Sequence, residues 1–354
     1  MAKPASMAVK LSSLSDLKTL GFDDIIDVRA PSEFAEDHVP GAINLPVLSD
    51  AERAQVGTIY VRQDRFLARK IGAAMVSRNA AAHLEGPLAD REGGWRPLVY
   101  CWRGGQRSGS FASILSQIGW RVELVDGGYK SYRKLVVAAL YETPISLQII
   151  LLDGGTGSGK TALLQALRGQ GAQVLDLEGM AAHRGSLLGG FSGGQPSQKM
   201  FESRLAGALA ALDPTQPVYV EAESNKIGNL LIPPSLWAAM QTAPALKISA
   251  PLQVRAAFTV SHYADLTQDL TELRNRLAPL HVFHGAAQMA EWDKMIEARA
   301  FEELAASLIE RHYDPRYTKS AARRDRVVTE VAVPRLDAET LDATAVKIKA
   351  MHAR

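Results

Sequence analysis

Leu147-Gln148-Ile149-Ile150-Leu151-Leu152 runs through Asp153 into Gly154-Gly155-Thr156-Gly157-Ser158-Gly159-Lys160-Thr161. The first stretch is mostly apolar and of strand length; the second fits G-x-x-x-x-G-K-[ST]. A helical segment, Thr161 to Leu167, follows. A strand that feeds a glycine-rich turn opening a helix brings successive backbone amides onto one point, where they can wrap a diphosphate. Lys160 then reaches phosphate oxygens, and Thr161 is placed to put its hydroxyl on Mg²⁺. This spacing implies a parallel α/β sheet around the loop.

Downstream, Gln173 to Leu177 reads as a strand, followed by the polar, glycine-marked loop His183-Arg184-Gly185-Ser186. That loop is expected at the active edge of the sheet, with His183 and Arg184 available to an anionic substrate. Pro217 to Val220 is a further strand, and Glu221 at its end is expected on the metal or substrate side. From about Pro251 the pattern is mainly helical, with a late strand at Val327 to Val331. His281 and His284 lack an evident third ligand, so they read as a surface pair and no metal site is assigned with certainty.

Upstream, Tyr141 to Pro144 is the best linker, and a second strand–loop–helix unit precedes it. Asp24 to Val28 and Gly41 to Leu45 read as strands, and Ala51 to Leu84 as mostly helical. Pro97 to Tyr100 is a short buried strand ending at Cys101. Trp102-Arg103-Gly104-Gly105-Gln106-Arg107-Ser108 then leads into a helix running to Ile118. Arg121 to Leu124 reads as a strand, Asp126-Gly127-Gly128 as a turn and Tyr129 to Leu140 as a helix. The glycines let the amides after Cys101 converge into an anion-holding nest, and Arg103 and Arg107 add positive charge. A cysteine so placed is expected as a thiolate at neutral pH, the nucleophilic form.

The bulk properties agree with two enzyme-like domains. The chain has 354 residues, 47% of them hydrophobic, enough for real cores. Its single cysteine excludes an intramolecular disulfide and a multi-cysteine zinc site. Forty basic and 38 acidic residues leave a net charge of +2, which neither demands nor excludes nucleic acid. Basic clusters at Lys130, Arg133 and Lys134, and around Arg323 and Arg324, are the candidates for RNA contact. No apolar run approaches a membrane span and no apolar signal segment opens the chain, so a cytoplasmic protein with no membrane partner is expected.

Several stretches carry a resemblance to known families. Asp27-Val28-Arg29-Ala30-Pro31-Ser32-Glu33-Phe34, His38-Val39-Pro40-Gly41-Ala42-Ile43-Asn44, Cys101 to Arg107 and Asp126-Gly127-Gly128 resemble, in order, the motifs of the rhodanese superfamily. In that family the loop cysteine carries sulfur or selenium. Asp27 and Arg29 are expected to support the loop from beneath. A long insertion, about 47–96, is not part of a minimal rhodanese. The whole order, with Gln55-Val56-Gly57-Thr58-Ile59-Tyr60, Leu177-Glu178-Gly179, Glu221-Ala222-Glu223-Ser224-Asn225-Lys226-Ile227-Gly228 and His312-Tyr313-Asp314-Pro315, resembles the bacterial tRNA 2-selenouridine synthases.

The resemblance implies a rhodanese-like parallel-sheet domain over 12–140, then a P-loop three-layer α/β/α domain over 145–354 with a largely helical C-terminal part. It implies a transferase whose partner is tRNA carrying 2-thiouridine at the wobble position. Geranyl diphosphate would alkylate the sulfur, and selenium from selenophosphate would then replace the S-geranyl group. Mg²⁺ would accompany the diphosphate, and no ATP requirement is expected. An ATP-dependent sulfurtransferase acting on RNA or a small acceptor remains the alternative, with a nucleotide-gated binding module and a kinase-like tRNA enzyme behind it.

Overall fold

The computed structural model describes residues 8–186, 188–191, 193–321 and 326–352. It forms two compact units: Met1–Thr143 with Pro196–Ala211, and Pro144–Gln195 with Leu212–Arg354.

The first unit is built on a five-stranded parallel sheet. Its strands are β1 (Ala8–Val9), β2 (Asp24–Asp27), β3 (Ile43–Asn44), β4 (Pro97–Tyr100) and β5 (Glu123–Val125), in spatial order β1-β5-β4-β2-β3. All four residues of β4 are buried, as befits a central parallel strand covered on both faces. Val99 and Ile26 on the sheet pack with Phe111, Ala112 and Leu115 of the helix Gln106–Ile118.

The insertion is mostly helical, as expected, and forms two helices, Asp50–Arg62 and Arg65–Glu85. The break has a local cause: the Asp64 carboxylate accepts from the backbone N–H of Leu67 at 2.6 Å, capping the second helix at its N-terminus. Ser49 and Glu52 form a capping box at the start of the first. Val76 and Ala80 of the second helix are buried in the core with Phe111, so the insertion belongs to the fold of this unit.

Residues 196–211 join the first unit although they lie between strands of the second. The helix Gln198–Leu209 packs on the helix Gly128–Val137. Glu202 pairs with Arg133 and accepts from the Tyr141 hydroxyl, and Lys199 pairs with Glu36 at 2.6 Å. A boundary drawn only along the chain does not express this excursion.

The second unit has strands β6 (Gln148–Asp153), β7 (Gln173–Leu175), β8 (Pro217–Glu221), β9 (Lys226–Ile227), β10 (Leu230–Leu231), β11 (Ala245–Ser249) and β12 (Val328–Ala332). β9 and β10 make a small antiparallel hairpin; the others form a parallel sheet in order β12-β11-β6-β8-β7. Ile150 and Leu152 of β6 face the helices Lys160–Gly169 and Ala338–His352 through Leu163, Leu167, Leu341 and Ile348. By strand alternation Ile149 and Leu151 point to the other face, where the helix Pro234–Thr242 packs on β6. β6 lies between β8 and β11, so its carboxyl end is where connections diverge to either side, the usual position for a ligand.

β11 is absent from the periodicity reading. Ala245-Leu246-Lys247-Ile248-Ser249 is short and carries a charge at its centre; Lys247 pairs with Glu330 of β12 at 2.8 Å. From Leu252 to Ala321 the segment is mainly helical, as its pattern predicts.

Candidate functional site

Two loops hold most of the residues that the sequence singles out, one in each unit, each at the carboxyl end of a central strand. In the first, Cys101 follows β4 and is only 3% exposed. Its surroundings are mixed. Burial opposes ionisation, but the Ser108 hydroxyl donates to Sγ at 3.1 Å, the backbone N–H groups of Ser108 and Arg103 point the same way, and Arg107 adds positive charge. The balance holds the thiol below its ordinary value, so hydrogen bonds and charge outweigh desolvation.

The turn Asp126-Gly127-Gly128 closes against this loop. Tyr129 and Lys130 donate their backbone N–H groups to the carbonyls of Cys101 and Trp102 at 2.8 and 3.1 Å. A Cβ on Gly128, which has φ +60°, would collide with the Cys101 carbonyl oxygen. Only glycine therefore permits the approach that holds the loop in shape.

Beneath it, Arg29 and Asp27 form a buried ion pair at 2.6 Å. Arg29 also donates to the Asp37 carbonyl at 2.5 Å, and its guanidinium lies 4.0 Å from the centre of the Tyr129 ring. Tyr129 in turn donates its hydroxyl to Asp37 at 2.6 Å. The chain Asp27–Arg29–Tyr129 thus reaches the backbone of Cys101 without touching its sulfur. Arg107 is anchored to Glu33 at 2.7 Å, which fixes its charge near the thiol; Arg103 is exposed. The insertion contributes here too. Val56, Tyr60 and Gly72 line a recess together with Gln106, Arg107 and Ser110. Trp102 is exposed at 36% and stacks obliquely on Tyr129.

The basic candidates fall differently. Lys130 and Lys134 are exposed, one turn apart on the helix Gly128–Val137. Arg133 is tied to Glu202 and lies 3.7 Å from Asp37. Arg323 and Arg324 lie outside the described residues.

In the second unit, Gly154, Gly157 and Gly159 all have positive φ, and the loop turns tightly from β6 into the helix Lys160–Gly169. A Cβ on Gly157 would meet the Arg255 carbonyl oxygen at 2.8 Å. Lys160 folds back to donate to the Gly154 carbonyl at 2.8 Å, and the Thr161 hydroxyl donates to Glu178 at 2.9 Å. Residues Thr156 to Thr161 line a pocket whose other walls include Glu178, Arg184, Glu223 and His262. Arg184 is held at 3.0 Å from Asp265 and over the rings of Phe191 and Tyr263. His183 pairs in a backbone bridge with Gly190.

Carboxylates crowd one side of this pocket. Glu221 is fully buried; one oxygen accepts from the Glu178 backbone N–H at 3.2 Å, and Oε1 has no hydrogen-bond partner. Burial, then repulsion from Glu223 for Glu178 and from Glu178 and Asp176 for Glu221, raises both carboxyls far above the ordinary range. Thr161 and Glu178 offer the hard oxygen donors that suit Mg²⁺, and a cation would relieve this repulsion. Among the described residues no group of three or more His, Cys, Asp and Glu side chains is arranged to hold a metal ion unaided.

Some contributors escaped the sequence reading as site residues. Arg255 donates to the Thr156 carbonyl at 2.7 and 3.0 Å while pairing with Asp314 at 2.6 Å, so it braces the loop from the helix Leu252–His262. Asp314 lies in the quoted His312–Pro315 stretch, but Arg255 stands in an unremarkable amphipathic helix. Glu178 and Glu223 also lay within quoted stretches, without an assigned place. His281 and His284 do not pair: His284 hydrogen-bonds His312 at 3.0 Å, and His281 turns to the Ala278 carbonyl. Among the described residues, no helix is long and apolar enough to cross a membrane.

Comparison with known proteins agrees with this geometry. Residues 10–135 match the rhodanese-like domain, and residues 147–284 match the AAA domain of tRNA 2-selenouridine synthase. Relatives that bear the name tRNA 2-selenouridine synthase include those of three bacteria. That of Bdellovibrio bacteriovorus is 36% identical over 70% of this chain and 67% of its own length. That of Nitrosomonas europaea is 38% identical over 68% of this chain and 64% of its own. That of Aeromonas salmonicida is 33% identical over 90% of this chain and 94% of its own. With both domain types present in the same order and nearly the whole of one relative matched, the chain belongs to the tRNA 2-selenouridine synthase family.

Proposed function

We propose that this protein replaces sulfur by selenium in wobble 2-thiouridine of tRNA in two steps, each served by one of the two loops. The observation that carries the reading is the pairing, in one chain, of a cysteine thiol lowered by an anion nest with a separate diphosphate-sized loop. In the first step the thiocarbonyl sulfur attacks the allylic carbon of geranyl diphosphate. A carbon–sulfur bond forms, a carbon–oxygen bond breaks and pyrophosphate leaves. The loop amides and Lys160 stabilise the charge that develops on that leaving group. Mg²⁺ bound to Thr161 and Glu178 would supply further neutralisation of the diphosphate. In the second step the selenium of selenophosphate forms a carbon–selenium bond at the same ring carbon, the carbon–sulfur bond breaks and geranylthiol departs, and water then cleaves the phosphorus–selenium bond to release phosphate. Alkylation makes the sulfur a better leaving group, so two moderate barriers replace one high barrier. Cys101 and its nest serve this selenium step.

Lys130 joins the Cys101 loop through its backbone N–H to the Trp102 carbonyl, Lys134 lies one turn further along the same helix, and the exposed Trp102 offers a stacking surface. They are the proposed tRNA contacts within this unit. The nucleotide-driven alternative makes a different demand. Full-length protein, tRNA containing 2-thiouridine, geranyl diphosphate and selenophosphate should yield S-geranyl-2-thiouridine and then 2-selenouridine with no nucleotide present, read by nucleoside mass analysis. Turnover that stops without ATP would favour the sulfurtransferase reading.

A further inference from the structure

The helical insertion of the first unit takes no part in the two proposed steps, yet its corner is more than a solvated turn. Across the junction of the helices Asp50–Arg62 and Arg65–Glu85 the chain reads Tyr60-Val61-Arg62-Gln63-Asp64-Arg65-Phe66-Leu67-Ala68-Arg69-Lys70. Four cations stand here against one carboxylate, and that carboxylate is engaged in capping the second helix through the Leu67 N–H. Arg53 and Arg107 both close on Glu33, whereas among the described residues no carboxylate pairs with Arg62, Arg65, Arg69 or Lys70. Arg65 opens its helix at the end where the backbone dipole disfavours a cation, and the first turn holds no acidic residue. The fold gains little from this charge.

Apolar side chains are interleaved with it. Val61 is 81% and Phe66 69% exposed, and Tyr60 is exposed with the Arg65 guanidinium 5.5 Å from its ring centre. Single exposed apolar residues are ordinary; a group of them among unpaired cations marks a surface that binds. Tyr60 and Arg69 also line an open recess of about 290 Å³. Val56 and Val76 add apolar lining to it, and Gln106 and Arg107 add hydrogen-bond donors. An acidic protein face would answer the cations alone. An unpaired stretch of RNA answers all three features: phosphates for the cations, base faces for the rings, and a base turned out of the stack for the recess.

We propose that this corner binds the unpaired anticodon loop of tRNA: Arg62, Arg65 and Lys70 hold its phosphates, Phe66 stacks on a loop base, and the recess receives a second base. The inference goes beyond the two-step mechanism and rests only on the reading that the substrate is tRNA. Arg107 lines the recess and also supplies charge to the Cys101 thiol, so an RNA loop held here lies beside the Cys101 loop. The insertion thereby gains a task that a minimal rhodanese does not have.

The test is fluorescence anisotropy of the full-length protein, across a salt series, with two labelled RNAs of equal length. One is an anticodon stem-loop carrying 2-thiouridine at the wobble position; the other is a fully paired duplex. The parent should prefer the stem-loop by about tenfold or more. Arg62→Ala, Arg65→Ala and Lys70→Ala together should weaken both RNAs and flatten the slope of log affinity against log salt by roughly 2. Phe66→Ala should weaken the stem-loop alone, by about five- to tenfold, with the slope unchanged. Melting temperature and iodoacetamide alkylation of Cys101 should match the parent in both variants, because the altered side chains are exposed. Unchanged stem-loop affinity and salt slope in the triple variant overturn the corner and leave tRNA as the substrate. Failure of the parent to bind either RNA removes that reading, and the corner assignment falls with it. If the triple variant melts early, Phe66→Ala decides: an undiminished preference for the stem-loop overturns the proposal. Vesicles of phosphatidylserine and phosphatidylcholine should not bind; capture lost in the triple variant, with stem-loop affinity unchanged, would make the corner a membrane surface instead.

Discussion

The Cys101 loop and the Gly154–Thr161 loop use the same device to opposite ends. Each follows a buried central strand, turns on glycine of positive φ (Gly104 in the first, Gly154, Gly157 and Gly159 in the second) and opens a helix. In the first, the cysteine's own sulfur receives the converging N–H groups, and the Ser108 hydroxyl joins them. In the second, the loop lines a pocket ringed by Glu178, Arg184 and Glu223. The two environments push titratable groups in opposite directions. The thiol is lowered, because donors and Arg107 outweigh burial; Glu178 and Glu221 are raised, because burial and mutual repulsion act together. In the proposed mechanism one nest presents a nucleophile and the other receives a ligand's charge.

The sharpest way to break this comparison is Cys101→Ser. Selenium incorporation should fall by at least roughly 10³-fold, the scale of losing a nucleophile, while S-geranyl-2-thiouridine still forms. Equal loss of both products in a folded variant, measured by nucleoside mass analysis, would erase the division of labour. Lys160→Ala probes the other loop. Geranyl transfer should drop about 10²–10³-fold, as when one preorganised donor to a developing anion is removed, with Cys101 reactivity unchanged. A wild-type geranylation rate would give the phosphate loop another role.

A smaller effect tests the cause of the lowered thiol. Ser108→Ala removes the largest of the contributions that lower it, so alkylation by iodoacetamide at pH 7 should slow about several-fold. An unchanged rate would shift the credit to the backbone amides and Arg107. The smallest effect concerns Glu221. Its folded-state value is raised, so between the ordinary carboxyl range and the raised one the folded chain binds more protons than the unfolded chain. Stability from this group is present at low pH and lost as pH rises through that window. Glu221→Gln should therefore raise the melting temperature of the metal-free protein by roughly 2–4 °C at pH 8 and leave it unchanged at pH 5. A rise of the same size at both pH values would rule out titration as the cause.

Much of the fold was legible locally. The strand before Gly154, the glycines, Lys160 and Thr161 carry their geometry in their spacing, because a tight turn between strand and helix needs few distant partners. The same holds for Cys101 to Ser108. The break at Asp64 was missed, since a capping side chain interrupts an otherwise continuous helical pattern. β11 was missed because Lys247 spoils its apolar run, and its pairing with β6 and β12 is entirely long-range.

By itself, then, the amino-acid order determined both strand–loop–helix units, with Cys101 in one loop and the Gly154–Thr161 turn in the other, because each is a property of adjacent residues. Tertiary structure alone decided the rest. It drew Gln198–Leu209 into the first unit through Arg133 and Glu202. It set Arg255 against the phosphate loop across a long stretch of chain and crowded Glu178, Glu221 and Glu223 together. It also left a small apolar recess, walled by Leu266, Leu273 and Leu304, beside that loop. The reason is physical: turn geometry is set by neighbouring dihedrals, whereas burial, charge repulsion and cavity shape depend on which distant side chains the folded chain brings into contact.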